Sequence, residues 1–273
     1  MLHIQTRTSL PDSAALRDFF DRLHVAPAST LLLDYDGTLA PFQIDRNDAY
    51  PYPGTVQLLE RVLQCGNTRI VIITGRPVAD LKPFLRPLDH LEIWGAHGLE
   101  HQLPDGNYEQ MHIHSSTLDL LSRAKEWVLE TKLASSAEFK PGGIAMHWRG
   151  LSAAEARKVE VRVRDGWTPL ALSGDLKLLN FESGVELRVV HPDKGDAVAS
   201  IIRESTPQTE IAYLGDDLTD EDSFRVLNGR GLTVLVRSEY RETAAKVWLQ
   251  PPRELIGFLE RWLKEVSKSR FND

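Results

Sequence analysis

The sequence is poor in cysteine: Cys65 is the only one among 273 residues. No disulfide can form within the chain, and a reducing compartment is the simpler setting. Positive charge is also in deficit, with 32 lysines and arginines against 39 aspartates and glutamates and a net charge of −7. Nucleic-acid surfaces draw their affinity from neutralised phosphates, so this balance argues against a DNA or RNA partner. Long apolar runs are missing too. No stretch approaches the roughly 20 apolar residues of a membrane span, and Met1 to Leu10 lack the apolar segment of a secretion signal. These absences predict a soluble, cytoplasmic protein with no membrane partner. Internal repeats and low-complexity tracts are absent as well. What is present, 42% hydrophobic and 26% charged residues, is the composition of a folded chain and excludes a disordered or fibrous one. The length allows one large domain or two modest ones.

Apolar spacing gives the organisation. Leu16, Phe19, Phe20 and Leu23 lie one helical stripe apart, which predicts a first helix after Asp12 or Ser13. Thr30 to Leu33 and Arg69 to Ile73 are short continuous apolar runs, suited to strands covered on both faces. Each stops at a polar cluster, Asp34 to Thr38 and Thr74-Gly75-Arg76. Gly54 to Gln64 reads as a helix ended by Gly66, Pro77 suits the first position of another, and Leu91 to Trp94 is a third strand candidate. The middle changes texture. Half-buried strand patterns at Ile144 to Trp148 and Lys177 to Phe181 alternate with helical stretches at Thr117 to Lys132 and Ser152 to Asp165. From Lys194 the helix and strand alternation resumes: Asp196 to Arg203, Ile211 to Leu214, Glu221 to Leu227, Leu232 to Val236, and an amphipathic helix at Glu254 to Val266. The pattern predicts an α/β, Rossmann-like doubly wound parallel-sheet core over residues 1–105 and 187–273, interrupted by an inserted α+β cap module over 106–186.

In such sheets ligands bind beyond the carboxyl ends of the strands. Four of these ends carry polar residues, and folding would gather Asp34, Asp36 and Asp216. Carboxylates that close raise one another's pKa unless a cation neutralises them. The donors are all oxygens, which favours a hard ion, Mg²⁺, over zinc. Mg²⁺ sites commonly include a substrate phosphate, so a phosphorylated substrate is expected.

Four segments, in this order, resemble the motifs of the haloacid dehalogenase-like phosphatases: Asp34-Tyr35-Asp36-Gly37-Thr38-Leu39, Thr74-Gly75-Arg76, Lys194-Gly195 and Gly215-Asp216-Asp217-Leu218-Thr219-Asp220. The resemblance implies that Asp34 is the nucleophile, whose aspartyl-phosphate splits one hard hydrolysis into two easier displacements. It implies that Asp36 protonates the leaving sugar oxygen and later deprotonates water, that Thr74 donates to phosphoryl oxygens, and that Lys194 balances their charge. Mg²⁺ would be held by Asp34, the backbone carbonyl of Asp36, and Asp216, with Asp217 and Asp220 just outside its direct ligands. Carboxylates capping the helix that begins there would look the same. The second motif has threonine where many relatives have serine, and Val189 to Asp193 before the third motif is less typical.

The insertion lies where this superfamily carries a cap that closes over the substrate. Glu138-Phe139-Lys140, His147-Trp148-Arg149 and Glu186-Leu187-Arg188 resemble the cap pattern of trehalose-phosphate phosphatases, and Gly95-Ala96-His97-Gly98-Leu99-Glu100 resembles their core motif. By this resemblance Glu138, Lys140 and Glu186 bind hydroxyls of the distal glucose, and Gly75, Arg76, His97 and Arg149 are further substrate contacts. The implied activity is Mg²⁺-dependent hydrolysis of a phosphorylated disaccharide, trehalose 6-phosphate, to trehalose and phosphate, with functional coupling to a trehalose-phosphate synthase. Two alternatives remain. One is a phosphatase for glucosylglycerol phosphate or a mannosyl-phosphoglycerate; the other is a non-catalytic phosphosugar-binding regulator, which has no need of the Asp34 and Asp36 pair. Structural readings stand beside the functional ones: Glu138 and Lys140 as an exposed strand pair, His97 as a satisfied structural histidine, Arg76 and Arg149 as surface charges, Trp127 and Trp148 as cap core or sugar platforms. If Met111 to His114 is a strand, His112 and His114 share a face, but two ligands are too few for a metal.

Overall fold

In a computed structural model, residues 10–268 are described, apart from Asp12, Ile44, Pro87, Asp89 and Glu182. Asp12, one expected start of the first helix, lies outside them. The chain runs α1 (Ala14–Val25), β1 (Ser29–Leu33), α2 (Thr55–Cys65), β2 (Thr68–Ile73), α3 (Val78–Leu81), β3 (Glu92–Gly95), β4 (Glu100–Gln102) and β5 (Tyr108–Gln110). There follow α4 (Ser115–Glu130), β6 (Ala137–Lys140), β7 (Gly143–His147), α5 (Ala153–Ala171), β8 (Leu176–Phe181) and β9 (Gly184–Val189). The last part is α6 (Lys194–Glu204), β10 (Glu210–Gly215), α7 (Glu221–Leu227), β11 (Leu232–Val236), β12 (Val247–Leu249) and α8 (Arg253–Lys268).

Among the described residues the strands form an eight-stranded sheet, ordered β12-β11-β10-β1-β2-β3-β4-β5, and a four-stranded one, ordered β6-β7-β9-β8. From β12 to β3 the large sheet is parallel, as the continuous apolar runs require, because both faces are covered. Leu31 and Leu33 of β1 join α1, α2 and α8 on one face, through Phe19, Leu59, Phe258 and Trp262. Leu32 points the other way, with Val71 and Tyr213, onto Val198 and Ile201 of α6 and Phe224 of α7.

Two antiparallel strands, β4 and β5, extend the sheet; they are three residues each and the alternating pattern of Glu100 to Gln102 is polar, so neither was expected. The small sheet is antiparallel, covered by α4 and α5 with Val128, Trp167, Met146 and Val185 at its centre. Trp127 and Trp148 pack against this cluster. The chain leaves the large sheet after Gln110 and the small one after Val189, a few residues beyond the expected divisions at 105/106 and 186/187, because β5 pairs with β4 and β9 continues through Val189. Helix α5 runs past its expected end at Asp165: Gly166 lies where a side chain would strike the Trp127 ring, 2.3 Å from Cε2, so glycine here permits close helix packing. Met111 to His114 is not a strand; His114 instead precedes α4 as its N-cap.

Candidate active site

The sheet order places the site. From β1 the chain winds outward through β2 and β3 on one side, and through β10, β11 and β12 on the other. The switch point therefore lies between β1 and β10, and their carboxyl ends deliver Asp34 and Asp216. Asp34 leaves β1 with its N–H still donating to Leu214 at 2.9 Å.

Lys194, first residue of α6, is buried and donates to Asp34 Oδ1 at 2.7 Å and Asp220 Oδ1 at 2.8 Å. A capping box between Asp193 and Asp196 starts that helix where Lys194 can reach. Asp220 has no exposure; its Oδ1 also accepts from the Tyr213 hydroxyl at 2.6 Å, and its Oδ2 accepts the backbone N–H groups of Asp216 and Asp217, each at 3.0 Å. Both alternatives for Asp220 therefore meet in one residue, which closes a capping box and neighbours the acidic cluster. Asp217 caps the turn by accepting from Leu218 N–H at 2.8 Å.

Asp216 differs from all of these. It is 1% exposed and neither carboxylate oxygen has a hydrogen-bond partner, with the Arg237 guanidinium 3.9 Å from Oδ2. Oxygens of Asp34, Asp216 and Asp220 lie within 4.8 Å of one another, and one lysine amine sits among them. Burial raises Asp34 above the ordinary carboxylate range against the pull of Lys194, while burial and the Asp34 charge raise Asp216 well above it. An orphaned pair of buried carboxylate oxygens in an all-oxygen donor set fits a hard divalent cation, which Asp34 and Asp216 would hold.

Asp36 stands apart. Its carboxylate takes a two-point contact from Arg76, Nε to Oδ2 at 2.7 Å and Nη2 to Oδ1 at 2.5 Å. Arg76 is no surface charge: it is 3% exposed and lies over the rings of Tyr35 and Phe84, 5.1 and 5.2 Å from their centroids. Thr74 is buried; its hydroxyl accepts from Arg76 N–H at 3.1 Å and its carbonyl accepts from His97 N–H at 2.9 Å. Gly75 faces His97 so closely that a Cβ would lie 2.6 Å from Nε2.

The cap residues form a second cluster above. Glu186 is buried between Lys140, at 3.2 Å, and His97, at 3.3 Å. Burial opposes ionisation of Glu186, yet Lys140, His97 and Arg188 outweigh it and hold the carboxyl well below its usual range. Burial, reinforced by Arg188, pushes the His97 imidazole down to about 4. His97 sits in the left-handed region at φ 59°, and its Nδ1 has no partner. Glu138 pairs with His147 at 3.1 Å and with Arg46. Arg149 reaches the carbonyl of Gln43 and the face of Phe42.

Most of these groups line one cleft: Asp34, Asp36, Thr74, Gly75, Arg76, His97, Glu138, Lys140, Arg149, Glu186, Lys194, Asp216 and Asp217 are on its walls. Asp220 is not, because it lies behind Lys194. Arg46, a further wall residue, and Arg241 were not anticipated. Arg241 clamps the loop after β10 through the carbonyls of Asp216, at 3.2 Å, and Asp217, at 2.7 Å. A lone arginine in an irregular segment carries no local pattern that could have announced either.

A parallel α/β sheet with an acidic cluster at its switch point, beneath an α+β cap, is the architecture of the haloacid dehalogenase-like fold. A model of one family, trehalose-phosphatase, matches residues 32–251. The chain belongs to the trehalose-phosphatase family. It is 30% identical to the trehalose-phosphate phosphatase of Mycobacterium ulcerans over 279 residues, covering 95% of this chain and 67% of that one. It is 28% identical to that of Mycobacterium leprae, covering 96% and 64%, so the chain spans about two thirds of the length of these relatives. The fold matches the C-terminal domain of Candida albicans trehalose-6-phosphate phosphatase with a TM-score of 0.78 at 19% identity, over 95% of this chain and 99% of that one. No helix among the described residues is long and apolar enough to cross a membrane.

Proposed function

We propose that this chain is an Mg²⁺-dependent phosphatase that hydrolyses trehalose 6-phosphate to trehalose and inorganic phosphate. One observation carries the reading: the buried Lys194 and Asp34 pair beside the orphaned Asp216 opens into the same cleft as the cap pair of Lys140 and Glu186. One end suits a phosphoryl group and the other suits sugar hydroxyls, since ionised donors and acceptors make the stronger hydrogen bonds. Family membership narrows the ester.

In the first step an oxygen of Asp34 attacks phosphorus, the bond from phosphorus to the sugar oxygen breaks, and Asp36 gives that oxygen its proton. In the second step Asp36 takes a proton from water as the water oxygen attacks phosphorus, and the bond to Asp34 breaks, releasing phosphate. Lys194 offsets the negative charge of the phosphoryl oxygens throughout, and Thr74 donates to one of them. Bound at Asp34 and Asp216, the cation would supply further neutralisation of phosphoryl charge. Before Asp36 can act, one of its oxygens must turn from Arg76 toward the sugar; its side chain is 32% exposed, which leaves room for this. Glu138, Lys140 and Glu186 orient the distal glucose, and the lowered His97 stays neutral, its Nε2–H donating to Glu186 and its Nδ1 left as an acceptor. Asp217 and Asp220 act by holding the loop that carries Asp216.

The test is a panel of phosphorylated sugars with and without chelator. Trehalose 6-phosphate should turn over best and only with the metal, and Asp34→Asn should lose hydrolysis while staying folded. Equal or better turnover of glucosylglycerol phosphate or mannosyl-phosphoglycerate would overturn the substrate, and retained activity in Asp34→Asn would overturn the nucleophile.

A further inference from the structure

Arg46 belongs to a short 3₁₀ turn, Arg46–Asp48, in the loop that follows the first motif, and none of the roles above uses it. Its guanidinium faces two ways. One nitrogen donates to Asp80 Oδ2 at 2.6 Å, on α3 of the large-sheet unit, and the other donates to Glu138 on β6 of the cap. Its backbone carbonyl accepts from Arg76 Nη2 at 2.8 Å, the nitrogen that also donates to Asp36 Oδ1 at 2.5 Å. An unbroken series of contacts therefore joins a sugar-facing carboxylate of the cap to the proton-transferring carboxylate beneath it, by way of Arg46 and Arg76. The Asp45 side chain accepts from Asn47 N–H at 2.9 Å, which stiffens the turn so that the side chain and carbonyl of Arg46 move together. The cap touches the same loop again where Arg149 meets Gln43 and lies over Phe42, 5.6 Å from its centroid.

We propose that Arg46 is a positioning residue that links seating of the cap to placement of Asp36, so that the sugar oxygen receives its proton only when Glu138 has come down onto the loop. The proposal rests on the phosphatase reading above. A single ion pair whose arginine side chain is 37% exposed is screened by solvent and too weak to lock the cap, which suits a joint that must open at every turnover. Glu138 keeps His147 as a partner at 3.1 Å when Arg46 is removed, so sugar binding and proton delivery are separable.

The experiment compares Arg46→Ala and Arg46→Lys on trehalose 6-phosphate and on p-nitrophenyl phosphate. The aryl ester departs as a stable anion and is too small to engage the cap, so its phosphoryl transfer to Asp34, read as the pre-steady-state burst of p-nitrophenol, needs neither the Asp36 proton nor the joint, whereas hydrolysis of the aspartyl-phosphate needs Asp36 for both esters. Arg46→Ala should lower kcat on the sugar phosphate about 10- to 100-fold, the scale of a displaced general acid. KM should stay within about threefold, the p-nitrophenol burst should be spared, and Arg46→Lys should recover part of the loss. Hydrogen exchange over residues 137–149 and 41–48 should quicken in Arg46→Ala. A raised KM with unchanged kcat would make Arg46 a substrate contact and overturn the proposal; so would a loss of the p-nitrophenol burst equal to the loss on the sugar phosphate, or no change at all. If the wild type hydrolyses only the aryl ester, the substrate reading has failed on its own, and unchanged hydrogen exchange in Arg46→Ala would then refute the joint.

Discussion

Single residues hold the acidic cluster in a shape that few substitutions would tolerate. Gly37 adopts φ +82°, and a Cβ there would lie 2.2 Å from Asp216 Oδ2 and 2.7 Å from the Phe42 ring. Gly37→Ala therefore combines a left-handed backbone, costing about 1 to 2 kcal/mol for a residue with a side chain, with displacement of an unpaired carboxylate. The expected outcome is a folded protein whose Mg²⁺ affinity falls about 10- to 100-fold, the range for disturbing the surroundings of a metal ligand, as read by titration calorimetry; wild-type affinity would refute it. His97 makes a claim about pH. Its imidazole titrates at about 4 in the folded chain against an ordinary 6.5, so the unfolded chain takes up the proton first on acidification. The contribution to stability is complete above pH 6.5 and is lost as pH falls toward 4. Wild type should lose up to about 1.4 kcal/mol per pH unit more than His97→Gln over that window. Urea melts at pH 6.5, 5.5 and 4.5 would decide, and two parallel pH dependences would count against the assignment.

Elements carry the site by where they begin and end. Helix α6 was expected from Asp196, yet it starts at Lys194, because Asp193 accepts from Asp196 N–H at 3.1 Å and sets the first turn. Asp193 also pairs at 3.2 Å with Lys177 of β8 in the cap. Asp193→Ala should cost about 1 to 2 kcal/mol, the upper range for an N-cap, and lower kcat through Lys194. Asp193→Asn, which still caps, should restore most of the stability in the same urea melts; an alanine variant as stable as wild type would remove the capping argument. Buried strands with polar ends and amphipathic helices were legible because apolar periodicity and strand-end chemistry are local. Strand β12 was not, since Val247–Leu249 is three residues long and its burial comes from α8 and β11. Nor was the joint at Arg46, whose partner Glu138 is 92 residues away. The candidate site residues were legible from the order of their motifs along the chain, whereas their neighbours, Arg241 on the Asp216 loop and Arg188 beside His97, depend on which loops the finished fold brings together.

The whole molecule buries more negative charge at its switch point than its own side chains neutralise. Asp34, Asp216 and Asp220 surround Lys194, and among the described residues the Asp216 carboxylate accepts no hydrogen bond, with the Arg237 guanidinium 3.9 Å away. Without a cation this arrangement opposes folding, because a raised carboxyl binds its proton more tightly in the folded chain than in the unfolded one. Stability should then fall as pH rises from the ordinary carboxyl range through the raised values of Asp34 and Asp216. Asp216→Asn removes one of these charges. In chelator at pH 8 the variant should melt higher than wild type, since a neutral amide is cheaper to bury than an unpaired carboxylate. Mg²⁺ should reverse the order: at 100 times its dissociation constant it should stabilise wild type by about 2.7 kcal/mol, several degrees of melting temperature for a chain of this size at about 2 to 4 °C per kcal/mol. The variant, lacking the ligand, should gain almost nothing. Thermal melts of both proteins, with chelator and with Mg²⁺, test the crossing directly. If Asp216→Asn melts lower in chelator, or keeps the full Mg²⁺ shift, the metal does not sit at Asp216 and the charge at the switch point is balanced by something else.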